Sequence, residues 1–89
     1  MLAPVSYRLF HDGKYRVITI IPVNETLPNG MLYSTGVYKL SEGPVGLGEI
    51  VFDGKMENWE YNGFGDISYQ QVNEIMLYIK RINEEQDEL

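Results

Sequence analysis

A chain of 89 residues with no cysteine and a formal net charge of −6 has room for one small domain around a single core. The missing cysteines exclude disulfide stapling, thiolate metal ligands and cysteine nucleophiles. Seven basic residues against thirteen acidic ones argue against an extended phosphate-binding surface. The 44% hydrophobic and 22% charged content is that of an ordered globular chain. No stretch approaches the ~20 apolar residues of a membrane-spanning helix. Met1-Leu2-Ala3-Pro4 has neither the basic nor the apolar region of a signal peptide, so a cytoplasmic protein with no membrane contact is expected.

In chain order, Val5 to Phe10 alternates apolar and polar residues, and a run rich in β-branched residues follows from about Lys14 to Pro22. Asp12-Gly13 between them tolerates the positive φ angles of a two-residue type I′ turn, which predicts a hairpin and fixes its register. His11 then faces Lys14, Leu9 faces Arg16, Tyr7 faces Ile18 and Val5 faces Ile20. One face carries Val5, Tyr7, Leu9, Ile18 and Ile20, and the other Phe10, Tyr15, Val17 and Ile21. A second strand apolar on both sides belongs at the centre of a sheet, or its outer face meets a partner.

Pro22 is expected to end that strand, with Val23 to Gly30 as a loop closing in Pro28-Asn29-Gly30. Asn24-Glu25-Thr26 in that loop reads as a chance glycosylation sequon, and Gln86-Asp87-Glu88-Leu89 as a chance likeness to a retention tail. A third strand spans about residues 31–40, with Gly36 as a bulge. After a turn at Ser41 to Pro44, strands at about 46–53 and 55–61 read as a second hairpin around Asp53-Gly54, with Gly48 opposite Trp59 and Ile50 opposite Glu57. Asn62 to Asp66 is a connection.

The remainder predicts a helix over about 68–86. Ser68 and Gln71 form a capping box, Ile67 and Val72 a hydrophobic staple, and Val72, Ile75, Met76, Ile79 and Ile82 one apolar stripe. The acidic tail Glu84, Glu85, Asp87, Glu88 opposes the helix macrodipole, so the last turn is expected to fray. The fold class is therefore α+β: an antiparallel five-stranded, strongly twisted meander with one C-terminal helix on one face.

No motif assigns chemistry. His11 is a lone turn histidine, and Glu49, Asp53, Glu57 and Glu60 lack the spacing of a calcium loop. Gly43 to Gly48 lacks the lysine and following helix of a phosphate loop. No catalytic residue, metal site or cofactor is expected. The aromatics are the suggestive feature, since one helix cannot bury them all. Tyr15, Arg16, Tyr33, Tyr38, Trp59, Tyr61 and Phe64 form the candidate interaction surface. The expectation is a non-enzymatic protein-interaction or regulatory module, self-associating as a homodimer through an aromatic sheet face or an edge strand. The alternative is a nucleic-acid-related role, either stacking on the basic and aromatic first strands or acidic mimicry of DNA.

Overall fold

The computed structural model describes residues 1–87. Five strands, β1 (Val5–His11), β2 (Lys14–Thr26), β3 (Leu32–Glu42), β4 (Val45–Phe52) and β5 (Trp59–Asn62), precede a single helix, α1 (Tyr69–Asp87). Every strand pairs antiparallel with its sequence neighbour, in the order β1-β2-β3-β4-β5. The sheet is open, and the class is α+β.

The first hairpin has the register that its turn dictates. Asp12 and Gly13 both take positive φ, 51° and 75°, and His11 pairs with Lys14, Leu9 with Arg16, Tyr7 with Ile18 and Val5 with Ile20. Leu9, Ile18 and Ile20 are fully buried beneath α1, together with Tyr38, Leu40, Leu47, Ile50 and Phe52. From the helix, Val72, Ile75, Met76 and Ile79 complete the core, with Ile67, Tyr78 and Ile82 at its margin.

The helix begins where its cap specifies. Gln71 N–H donates to Ser68 Oγ at 3.1 Å, and Ser68 N–H donates to Gln71 Oε1 at 2.9 Å. Ser68→Ala is expected to cost about 1 kcal/mol, read as a lower chemical-denaturation midpoint at unchanged slope. The helix runs to Asp87 in spite of its acidic end. Glu88 and Leu89, the end of the tail whose last turn was expected to fray, lie outside the described residues.

Three local expectations are corrected. Pro22 does not end β2, which continues to Thr26, with Pro22 opposite Tyr38. Since β1 begins at Val5 opposite Ile20, β2 beyond that point has an uncovered edge, where a residue without an N–H is tolerated. Asn24 consequently stands on a strand opposite Ser34 rather than in a loop. Beyond Val23 the β2–β3 register shifts at Thr35-Gly36, the expected bulge.

The second Asp-Gly pair makes no type I′ turn. Asp53 Oδ1 accepts from the N–H groups of Lys55 and Glu57, Oδ2 accepts from Asn58 Nδ2 at 3.0 Å, and Met56 rather than Gly54 takes positive φ. The aspartate thus holds together a longer loop through its own side chain. Ile50 then faces Tyr61, and Phe52 faces Trp59. Tyr61, in place of Trp59, covers Gly48, and its hydroxyl donates to the Leu47 carbonyl.

Candidate functional site

Side chains alternate across a strand, so the pairings sort every strand residue onto the face covered by α1 or the open one. The open face carries Arg8 and Phe10 from β1, and Tyr15, Val17, Thr19, Ile21, Val23 and Glu25 from β2. Tyr33, Val37 and Lys39 come from β3, Glu49 and Val51 from β4, and Glu60 and Asn62 from β5. No element lies over it among the described residues.

Phe10 and Tyr15 are each 64% exposed, Val17 50% and Ile21 37%. Phe10 and Tyr15 pack at 5.1 Å between ring centroids, and the Arg8 guanidinium sits 5.6 Å from the Tyr15 ring. Beyond Val17 the small polar row Ser6, Thr19 and Ser41 crosses the face, and past it Ile21, Val23, Val37 and Val51 form a second apolar stretch across the middle strands, with Lys39 beside Ile21. Isolated apolar residues on a surface need no account, but two such stretches on one face do.

Of the seven candidate residues, only Tyr15 and Tyr33 stand on this face. Tyr33 lies at its far end, with its hydroxyl donating to Glu25 Oε2 at 2.5 Å. Arg16, one residue from Tyr15, points to the opposite side. It forms a bidentate pair with Glu42, both contacts at 2.9 Å, and reaches Gln71 at the start of α1. That hydrogen-bonded pairing raises the arginine and holds the Glu42 carboxyl below its ordinary value. Arg16 is a strut between sheet and helix, and the composite of Tyr15 and Arg16 expected for nucleic-acid stacking does not form.

Tyr38 is only 1% exposed and belongs to the core, edge-on to Phe52, with its hydroxyl accepting from Asn83 Nδ2 at 3.1 Å. It is no part of any surface. Trp59 and Tyr61 are half-buried on the covered side, Trp59 stacking on Tyr69 at 5.8 Å. Phe64 is fully exposed in the connection before the helix. Arg8, Phe10, Val17 and Ile21 are the residues the aromatic criterion missed. The turn register had already placed three of them beside Tyr15.

The histidine and carboxylates weighed for chemistry are dispersed. His11 contacts Asp12 at the tip of the first turn, Glu49 lies on the open face, and Glu57 lines a depression between the Asp53 loop and α1. Among the described residues no group of three or more His, Cys, Asp or Glu is placed to hold a metal ion, and no helix is long and apolar enough to cross a membrane. On the rim of the helix, the Tyr7 hydroxyl donates to Glu74 at 2.5 Å and its ring packs on Tyr78 at 4.6 Å. Burial and that carboxylate push the Tyr7 phenol up to about 12, a structural lock between β1 and α1.

No family model, curated protein or solved structure proved similar to this chain.

Proposed function

We propose that this chain is a non-enzymatic, cytoplasmic protein-interaction module whose working surface is the open face of the sheet. The observation that carries this reading is the uncovered apolar surface of the open face, Phe10, Tyr15 and Val17 at one end and Ile21, Val23, Val37 and Val51 at the other, parted only by the small polar row Ser6, Thr19 and Ser41. An antiparallel sheet with one solvated face ordinarily alternates apolar-in with polar-out. β2 breaks that alternation at Tyr15, Val17, Ile21 and Val23, residues that contribute nothing to the core under α1. Apolar surface of this extent is a cost to a solitary soluble domain and an asset to one with a partner.

The test is Val17→Glu, which places a carboxylate on the apolar surface opposite Arg8 and leaves the core intact. The free energy of unfolding should hold within about 0.5 kcal/mol. Proteins from a cell extract that are retained on the immobilised wild-type chain should be lost on the variant, whereas Leu77→Glu, at an exposed apolar site on α1, should retain them. Equal retention by Val17→Glu and wild type overturns the reading. Salt-sensitive binding of single-stranded DNA, abolished by Arg8→Ala, would move the face to the nucleic-acid class.

A further inference from the structure

The charges on the open face are unevenly spread: Arg8 stands alone at one end, while Glu25, Glu49 and Glu60 lie toward the other, with Lys39 paired across from Glu49. Arg8 stands with Phe10 and Tyr15 at the β1–β2 corner, while Glu49 and Glu60 stand at the β4–β5 corner, near Val51 and Asn62. The pairings place these corners diagonally. Arg8 is level with Val17 of β2, whereas Glu49 is level with Ile21 and Glu60 with Val23, three to four strands away. Strand spacings make the separation about 20 Å to Glu49 and nearer 28 Å to Glu60. Between the corners lies the apolar middle, Val17, Ile21, Val23, Val37 and Val51, interrupted by Lys39 beside Glu49.

Resting on the reading of this face as an interaction surface, we infer that its occupant is a second copy of the chain, packed sheet on sheet about a twofold axis. A twofold lying in the interface along the other diagonal exchanges the two corners. It sets Arg8 and Tyr15 of each copy against the acidic corner, Glu49 and Glu60, of its partner, and stacks the two apolar middles. The patch is then complementary to itself, as an isologous interface demands. The same operation turns the strands of one sheet nearly perpendicular to those of the other, one of the two favoured geometries for packed sheets.

The area suffices. Five strands at ~4.8 Å spacing and about 30 Å of strand length give roughly 600 Å² per copy, so ~1,200 Å² in total, within the range of stable specific interfaces. The desolvated middle supplies affinity, and the crossed charges supply register and exclude the alternative twofold that would set Arg8 against Arg8.

Sedimentation equilibrium of the purified full chain from micromolar to millimolar concentration tests this. The wild type should dimerise, and Val17→Glu should remain a monomer. Arg8→Glu and Glu60→Arg should each weaken the dimer about tenfold, and the double variant Arg8→Glu/Glu60→Arg should recover to within about threefold of wild type. Recovery requires the two corners to meet across the interface, since within one chain they are too far apart to touch. A wild type monomeric throughout, or a double variant as weak as its two defects combined, overturns the pairing. If extract proteins are then still captured in a Val17-dependent way, the face belongs to a different protein and only the second copy is excluded. If capture fails too, the interaction reading falls with it.

Discussion

Truncating Ile75 to alanine is expected to lower the free energy of unfolding by about 2–5 kcal/mol. The side chain is fully buried at the middle of the helix stripe, between Val72 and Ile79, within the same cluster as Ile18, Ile20, Leu40 and Ile50 of the sheet. A domain of this size has total stability near 5–10 kcal/mol, so the expected loss is up to about half of it. The loss has two parts, the transfer of three carbons' worth of apolar surface and the cavity that a β-sheet floor cannot collapse to fill. Leu77→Ala, two residues along on the exposed side of α1, should stay within about 0.5 kcal/mol. Equilibrium denaturation followed by far-ultraviolet circular dichroism reads both. Equal effects at the two sites would place the helix away from the sheet.

Gly48→Ala is the second large effect, on the order of 3 kcal/mol, and its origin is different. Gly48 has φ +105°, and a Cβ there would lie 2.4 Å from the Asn62 carbonyl oxygen and 2.7 Å from the Gly63 Cα, backbone that has nowhere to go. Strain at that φ and the forced displacement of β5 add together. Trp59, the single tryptophan, lies on β5 against Phe52 and Tyr69, and so reports the displacement directly. Its fluorescence in the native variant should shift to longer wavelength, as expected when the indole becomes wet. An unshifted emission together with an unchanged midpoint would mean that β4 and β5 do not approach as described.

The two hairpins explain how far the sequence could be read. Asp12-Gly13 stands between strands whose apolar alternation already agrees with a two-residue turn, so local chemistry and long-range burial select the same register. Asp53-Gly54 offers the same dipeptide, but the side chain of Asp53 finds the N–H groups of Lys55 and Glu57 and the amide of Asn58, and the loop lengthens. What decides between them is the fit of Tyr61 over Gly48 and of Trp59 against Phe52, contacts that no short window contains.

The side on which each aromatic falls depends on the same parity. Tyr38 is inside because it is two residues from Leu40, which pairs with the buried Ile20, so the β2–β3 register alone sets its face. The patch on β2 was legible, since the first turn alone places Phe10, Tyr15, Val17 and Ile21 on one side. That one face stays uncovered was legible too, since a single helix follows five strands; which aromatics lie on it was not, because that depends on the register of β3, β4 and β5. The charges at its corners acquired meaning once β4 and β5 had a register.

Because α1 follows all five strands in the chain, the cover is the last of the described elements to be made. Until it docks, both faces of the sheet are bare. Leu9, Ile18, Ile20 and Ile50 are then as accessible as Val17 and Ile21, and a neighbouring nascent chain on the same message presents the identical pair of surfaces. The acidic corner and Arg8 belong to the face that stays open, whereas the future core face offers no such charged labels at its centre. If the open face pairs with a second copy as inferred above, those charges favour the correct side before the helix buries the wrong one.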